Sequence, residues 1–243
     1  MLAYVSVAVA TVWTSPDKPR PVDRAALSSP VDIDGWITAM SFPQRLELTD
    51  ADMTQTQVLL GRPVHVLDRR DGWARVAVPG QPTPRDPLGY PGWIPDAQLT
   101  ASAPTAAGNA GGVPVPDAGD LVRTARGFLG LPYVWGGRSG FCVDCSGLTG
   151  LVHEVHGITI PRDAGPQALD GGATRVERGA LRPGDLIFYA SEPDDPSGGS
   201  IHHVTLYAGD GAMIEAFNHR TPVRVTPVRD AEYWGAVRYP APA

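Results

Sequence analysis

The sequence predicts an α+β protein in two parts, a small β-barrel followed by a helix packed on an antiparallel sheet. Three observations predict it. Short strand-like runs broken by Gly, Pro and Asp fill the first part of the chain. An Ala/Gly/Pro-rich stretch without aromatic residues follows. Beyond that stretch an amphipathic helical stripe precedes a series of strand-like runs.

The punctuation is heavy, with 28 Gly and 25 Pro in 243 residues, which favours many short elements over long helices. The length suits one large domain or two small ones, each able to bury a core. A net charge of −6 argues against nucleic acid or an anionic membrane as partner. The opening "MLAYVSVAVATVW" is apolar but has no basic flank. Its Val5, Val7, Val9 and Trp13 fall on alternate positions, the period of a strand rather than of a leader peptide. A cytoplasmic protein is expected. Two cysteines are too few for a disulfide framework, and a reducing compartment keeps them as thiols.

Taken in order, "DRAALSSPVDIDGWITAM" (23–40) can hold a short helix, and "PVHVLDR", "GWARVAV" and "GYPGWIP" read as strands. The stretch from residue 50 to 100 resembles a bacterial SH3-like domain, with the preceding residues packed on it. The first domain is therefore expected over 1–103. "TASAPTAAGNAGGVPVPDAG" has no period, and residues 104–119 are read as a linker. The second domain is expected over 120–243. There Leu121, Ala125, Phe128 and Leu129 make a helical stripe that Pro132 stops. Leu148, Leu151, Val152 and Val155 follow at helical spacing, and Gly157 supplies the stop. "DLIFYA", "HHVTLYAG", "AMIEAF", "VRVTPV" and "GAVRYP" then read as strands, with Gly209-Asp210-Gly211 as a hairpin turn.

Cys142 and Cys145 stand three residues apart in "GFCVDCSGL". A redox pair is expected at a strand-to-helix junction among parallel strands, and the strands here read as antiparallel. A zinc site needs two more ligands at short spacing, and neither a second CxxC nor an HxxxH exists in the chain. The third reading is a nucleophile. Asp144 is a good N-cap, so Cys145 opens a helix whose free amides and dipole lower a thiol pKa, while Cys142 lies outside it. The alternative for Cys145 is a buried small hydrophobe.

Among the six histidines, His203 lies on a strand that would hold an imidazole rigidly as a base, on the face of Thr205 and Tyr207. Across the hairpin, Glu215 is placed to accept Nδ1–H and orient the ring. The alternative is a solvated cross-strand His–Glu pair. His153 and His156 point away from the helix start, and His65 reads as an exposed strand residue.

The blocks "PYVWGG", "DCSGL", "RPGDLIFY" and "HHVTLYAGDGAMIEA" resemble the NlpC/P60 cysteine peptidases over residues 120–240. The resemblance implies a papain-like core and cleavage of bacterial cell-wall stem peptides, commonly at the γ-D-glutamyl bond to a diamino acid. It implies Cys145 as nucleophile, His203 as base and Glu215 as the third residue, where many members carry His. Ala164 in "RDAGPQ" stands where the family segment often has serine. No metal or cofactor is implied.

Together with the SH3-like part, the sequence resembles the γ-D-glutamyl-L-diamino acid endopeptidases that recycle cell-wall peptides. That resemblance implies a muropeptide substrate, L-Ala-γ-D-Glu followed by meso-diaminopimelate or L-Lys, with a free N-terminus. Asp144 is implied to hold the ammonium, Ser146 to bond the peptide backbone, and Tyr90 to be the contribution of the SH3-like part. Glu47, Asp50 and Asp52 are candidates for a second acid, with none preferred. Tyr133 and Trp135 are candidates to line the cleft. The Tyr133 hydroxyl with the Cys145 amide forms an expected oxyanion site, and core packing is the alternative, more so for Trp135. Gly136 and Gly137 are read as turn residues. The competing readings are a general wall endopeptidase or amidase on the same core, and a non-catalytic wall-binding protein. Nothing in the sequence fixes the oligomeric state.

Overall fold

Alternating apolar residues at the start of the chain make β1 (Leu2–Val5) and β2 (Val9–Trp13), so these residues are strands of the first sheet. The computed structural model describes residues 1–104, 109–114 and 120–240. The chain divides into two units, one of 1–113 with 134–143 and one of 114–133 with 144–243.

In the first unit, helices α1 (Arg24–Leu27), α2 (Ile33–Ala39) and α3 (Phe42–Asp50) follow β2. Asp32 caps α2 by accepting the Gly35 N–H at 2.8 Å. Strands β3 (Thr54–Leu59), β4 (Pro63–Arg70), β5 (Trp73–Val78), β6 (Tyr90–Pro95) and β7 (Leu99–Thr100) complete an antiparallel sheet ordered β3-β2-β6-β5-β4-β1-β7. The sheet is larger than a domain of residues 50–100 would be, because β1 and β2 lie within it. Gly92 permits that packing: a Cβ there would lie 2.4 Å from Val12 Cγ1. Val5, Val12, Val64, Val76 and Ile94 fill one core. A second core joins Trp13, Trp36 and Leu48 to Val134 and Cys142. Buried Asp23 accepts the Trp36 indole N–H at 2.7 Å and pairs with Arg20, which also reaches Glu47.

Residues 105–108 and 115–119 of the expected linker lie outside the described residues. Its middle is ordered onto the first unit: Val113 is buried, Asn109 donates to the Val113 carbonyl, and the Gly140 amide donates to Gly111. A linker reading based on low complexity missed these local turns.

The second unit begins with α4 (Leu121–Arg126), capped by Asp120. The helix stops at Gly127, before the expected Pro132, so Phe128 is buried by a turn while Leu129 is exposed instead of sharing the helical stripe. Helix α5 (Cys145–Val155) buries Leu148, Leu151 and Val152, and Gly157 follows at φ 79°. After α6 (Ala164–Leu169), strands β8 (Thr174–Val176), β9 (Leu186–Ala190), β10 (Ile201–Gly209), β11 (Ala212–Glu215), β12 (Arg224–Pro227) and β13 (Tyr233–Arg238) form an antiparallel sheet. Its order is β12-β11-β10-β9-β13-β8. The edge strand β8 has three residues, of which Thr174 and Arg175 are exposed and Val176 is half-buried, too short a run for an apolar alternation to be read. Helices α5 and α6 both pack on β10, whose His203 to Leu206 are buried on both faces.

Candidate active site

Asp144 adopts extended backbone before α5, and its carboxylate accepts the Gly147 N–H at 2.7 Å, which makes Cys145 the first helical residue. Cys145 is 7% exposed. Its sulfur meets the amides of Val204 and Ser146, which favour thiolate, as does the charge of Arg162. Burial is the larger effect, joined by the negative Asp144, and the thiol is pushed up to about 12. The expectation of a thiol lowered by the helix start is thus overturned: the amides are present, but desolvation outweighs them.

The Asp144 carboxylate is held by a fork from Arg162, with Nη2 2.7 Å from Oδ2 and Nη1 3.0 Å from Oδ1. Nη1 also donates to Ser146 Oγ at 2.8 Å. Arg162 and Asp144 are 2% and 4% exposed, so this is a buried pair. The ammonium role expected of Asp144 therefore meets a carboxylate that already carries a cation. Gln167 ties the same corner together, accepting from Thr149 and donating to the Ser146 and Pro161 carbonyls.

His203 stands opposite Tyr189 in the β9–β10 register, one residue before the amide that meets Cys145. Its Nε2–H donates to Glu215 Oε2 at 3.0 Å. The predicted partner is present, but through Nε2 rather than the expected Nδ1. With Nε2 carrying the proton toward a carboxylate, Nδ1 is the unprotonated acceptor nitrogen. Burial lowers the imidazole pKa; the Glu215 bond and charge oppose it, and the Arg229 charge adds to the lowering. Glu215 is fully buried, which would raise its carboxyl. Its bonds from His203 and Arg229 and the charges of both prevail and hold it at about 2.

Tyr133 is buried, edge-on to the His219 ring at 4.9 Å. Burial raises its hydroxyl pKa well above the ordinary value, with further contributions from Cys145 and Asp144, which places it in the electrostatic neighbourhood of the thiol. Trp135 and Tyr90 belong to the first unit. Trp135 is 37% exposed and Tyr133 8%, the reverse of the expected order of core packing. The Trp135 carbonyl accepts from Thr54 Oγ1 at 2.7 Å, and Gly136 turns the chain at φ +80°. Tyr90 is buried with its hydroxyl 3.2 Å from Arg85 Nη1. Cys142 is fully buried and donates to Gln57 Oε1 at 3.6 Å. Among the described residues, no group of three or more His, Cys, Asp or Glu is placed to hold a metal ion.

Sequence reasoning missed Arg162, Gln167, Arg224 and Arg229. The first two stood in the "RDAGPQ" segment, noted only for its missing serine. Arg224 was open to inference: hairpin pairing sets it opposite Glu215, and Arg224 Nη2 is 3.0 Å from Oε1. Arg229 lies beyond β12, where no period points.

A cysteine-bearing helix packed on an antiparallel sheet is the architecture of papain-like thiol peptidases. The family model described as "NlpC/P60 family" matches residues 130–238. One described as "Bacterial dipeptidyl-peptidase Sh3 domain" matches residues 49–99. The chain is 37% identical to a γ-D-glutamyl-L-lysine dipeptidyl-peptidase of Bacillus cereus, covering 98% of this chain and 90% of that protein. It is 35% identical to the Bacillus subtilis protein of the same name, over 89% of this chain and 90% of the relative. The crystal structure of an NlpC/P60 family protein from Bacillus cereus superposes over the whole of both chains, with a TM-score of 0.88 and 36% identity. The chain belongs to the NlpC/P60 family and is a peptidase carrying a bacterial SH3-like domain.

Proposed function

We propose that the protein is a dipeptidyl-peptidase that cleaves the γ-D-glutamyl bond to a diamino acid, L-Lys or meso-diaminopimelate, in stem peptides with a free N-terminal L-Ala. The observation that carries this reading is the correspondence of both the peptidase and the SH3-like parts with two relatives named for that activity.

In this reading Cys145 is the nucleophile and His203 the base. A buried thiol with a raised pKa and a buried imidazole with a lowered one define a neutral resting pair, so proton transfer accompanies attack. The Cys145 proton moves to His203 Nδ1 as sulfur bonds to the γ-carbonyl carbon. The carbonyl oxygen takes the negative charge, and the Tyr133 hydroxyl and the Cys145 amide donate to it. The C–N bond then breaks, and the proton on Nδ1 passes to the departing amine. Water, deprotonated by His203, releases the dipeptide from the thioester. Glu215 holds the ring throughout. Asp144 and Ser146, fixed by Arg162, are the residues of the second unit assigned to substrate binding.

A place in cytoplasmic recycling of wall peptides is part of the same reading, because released fragments, not intact wall, carry the free N-terminus. Among the described residues no helix is long and apolar enough to cross a membrane.

The test is kinetics on matched L-Ala-γ-D-Glu-diamino acid tripeptides, free and N-acetylated, with products identified by mass spectrometry. The expected result is release of L-Ala-γ-D-Glu from the free peptides only. Comparable kcat/KM for the acetylated peptides would make the protein a general wall endopeptidase, and cleavage at the muramoyl amide would make it an amidase.

A further inference from the structure

The Glu215 carboxylate does more than receive His203. Its Oε1 accepts from Arg224 Nε at 3.2 Å, Arg224 Nη2 at 3.0 Å and Thr226 Oγ1 at 3.2 Å. Its Oε2 accepts from Arg229 Nη1 at 2.8 Å as well as from His203. Glu215 is wholly buried, while the two arginine side chains are about one-third exposed, at 38% and 32%. Every group on this carboxylate is a donor, and two are cations.

Arg229 shares surroundings with the imidazole itself. Its guanidinium carbon lies 4.4 Å from the Tyr189 ring centroid and 5.0 Å from that of Phe217. The His203 ring lies 6.0 Å and 5.4 Å from the same two rings. The Arg229 amide also donates to the Tyr189 hydroxyl at 3.3 Å, which pins the backbone behind the guanidinium.

An isolated carboxylate beside an imidazole favours imidazolium, typically by one or more pH units. A base that is to take a proton from a neutral thiol must itself be neutral when substrate arrives. Two guanidiniums on one carboxylate offset that bias, while Oε2, shared with Arg229 Nη1, still accepts from His203 and orients the ring. We infer that Arg229, with Arg224 in support, is a positioning residue of the reaction: it neutralises Glu215, so that the carboxylate orients His203 without fixing a proton on it. The inference rests on His203 being the base. The depressed imidazole pKa, to which the Arg229 charge contributes, agrees with it.

Other groups face His203 among the described residues. His202, its neighbour on β10, is 43% exposed and lies 3.6 Å from Glu232. Tyr189 comes from β9, Glu215 from β11, Arg224 from β12, Phe217 and Arg229 from the loops after β11 and β12, and Cys145 from α5 through the Val204 amide.

The test is an NMR titration of the His203 imidazole in the full chain carrying Cys145→Ala, with its resonance assigned by loss in His203→Asn. Arg229→Met is expected to raise the midpoint by about one pH unit. Arg229→Lys, which keeps the charge, is expected to restore it, and Arg224→Met to raise it by less. An unchanged or lowered midpoint in Arg229→Met overturns the inference, as does a shift in Arg229→Lys equal to that in Arg229→Met. Should Arg229→Met not fold, Arg224→Met decides: an upward shift supports the inference and a fixed midpoint overturns it. Because the Cys145→Ala protein turns over no substrate, a wrong substrate assignment would leave the titration unaffected, and a fixed midpoint would leave the assigned reaction intact.

Discussion

Cys142 and Cys145 are three residues apart, yet the chain changes environment completely between them. Residues 134–143 fold with the first unit, where Cys142 is a core residue in a cluster with Trp36 and Leu48, its sulfur donating to Gln57. Residues from 144 onward fold with the second unit, where Cys145 is ringed by backbone amides, a carboxylate and a guanidinium. Both thiols are free and buried. The difference between them lies in what surrounds the sulfur rather than in how much solvent it sees. One site is apolar and fixed. The other brings amide donors, a carboxylate and a guanidinium to the sulfur.

The sharpest way to break that contrast is to remove each thiol. Cys145→Ala is expected to lower kcat/KM by roughly four orders of magnitude or more, while Cys142→Ala keeps nearly all of it. Equal losses in a tripeptide assay would make the two cysteines one functional unit. Next in size is the Asp144–Arg162 pair. Arg162→Met removes the guanidinium from the buried Asp144 carboxylate, at a cost of about 3–5 kcal/mol in denaturant unfolding. It also removes a charge that lowers the Cys145 pKa, so iodoacetamide should react more slowly at a given pH. Unchanged or faster alkylation would mean that the Arg162 charge does not favour the thiolate of Cys145.

A third expectation concerns acid. His153 on α5 is fully buried, its Nδ1 2.8 Å from the Thr149 carbonyl, and burial lowers its pKa from 6.5 to about 4. A histidine depressed on folding takes up its proton first in the unfolded chain. Its stabilising effect is therefore full above pH 6.5 and is lost as pH falls toward 4, by about 3 kcal/mol. His203, also depressed, adds to the same trend. Hydrogen exchange should show α5 weakening over that range while residues 134–143, which hold no histidine or acid, change less. His153→Gln should flatten the response, and an identical response in both segments would refute the assignment. The smallest effect is expected for Cys142→Ser, whose hydroxyl can still donate to Gln57, with a loss of about 1 kcal/mol and unchanged turnover.

What was legible in the sequence follows the same division. Periodic signals were readable: the N-cap at Asp144, the apolar stripe of α5, the hairpin at Gly209–Gly211 and the nearness of His203 and Glu215 all depend on short-range spacing. Four things were not readable. The pKa of Cys145 depends on how completely other parts of the chain bury it, which no local pattern states. Arg162 and Arg229 stand 18 and 14 residues from Asp144 and Glu215, in segments beyond α5 and β12 that carry no period. The Nε2 rather than Nδ1 contact depends on a ring rotation that strand alternation does not fix. The ordering of Asn109 to Val113 escaped because composition says nothing about which loop carbonyls find partners.

The first unit is not continuous in sequence, and this bears on the order in which the protein can be built. A chain emerging from the ribosome has all seven strands of the first sheet by residue 100, but Val134 and Cys142 of its second core are then still to come. Trp36 and Leu48 face an incomplete core until residue 143 has emerged, when synthesis has already passed α4 of the other unit. The SH3-like part is therefore expected to reach full protection only after part of the peptidase has been made. A fragment ending at residue 104 should unfold more readily than the same residues in the whole chain.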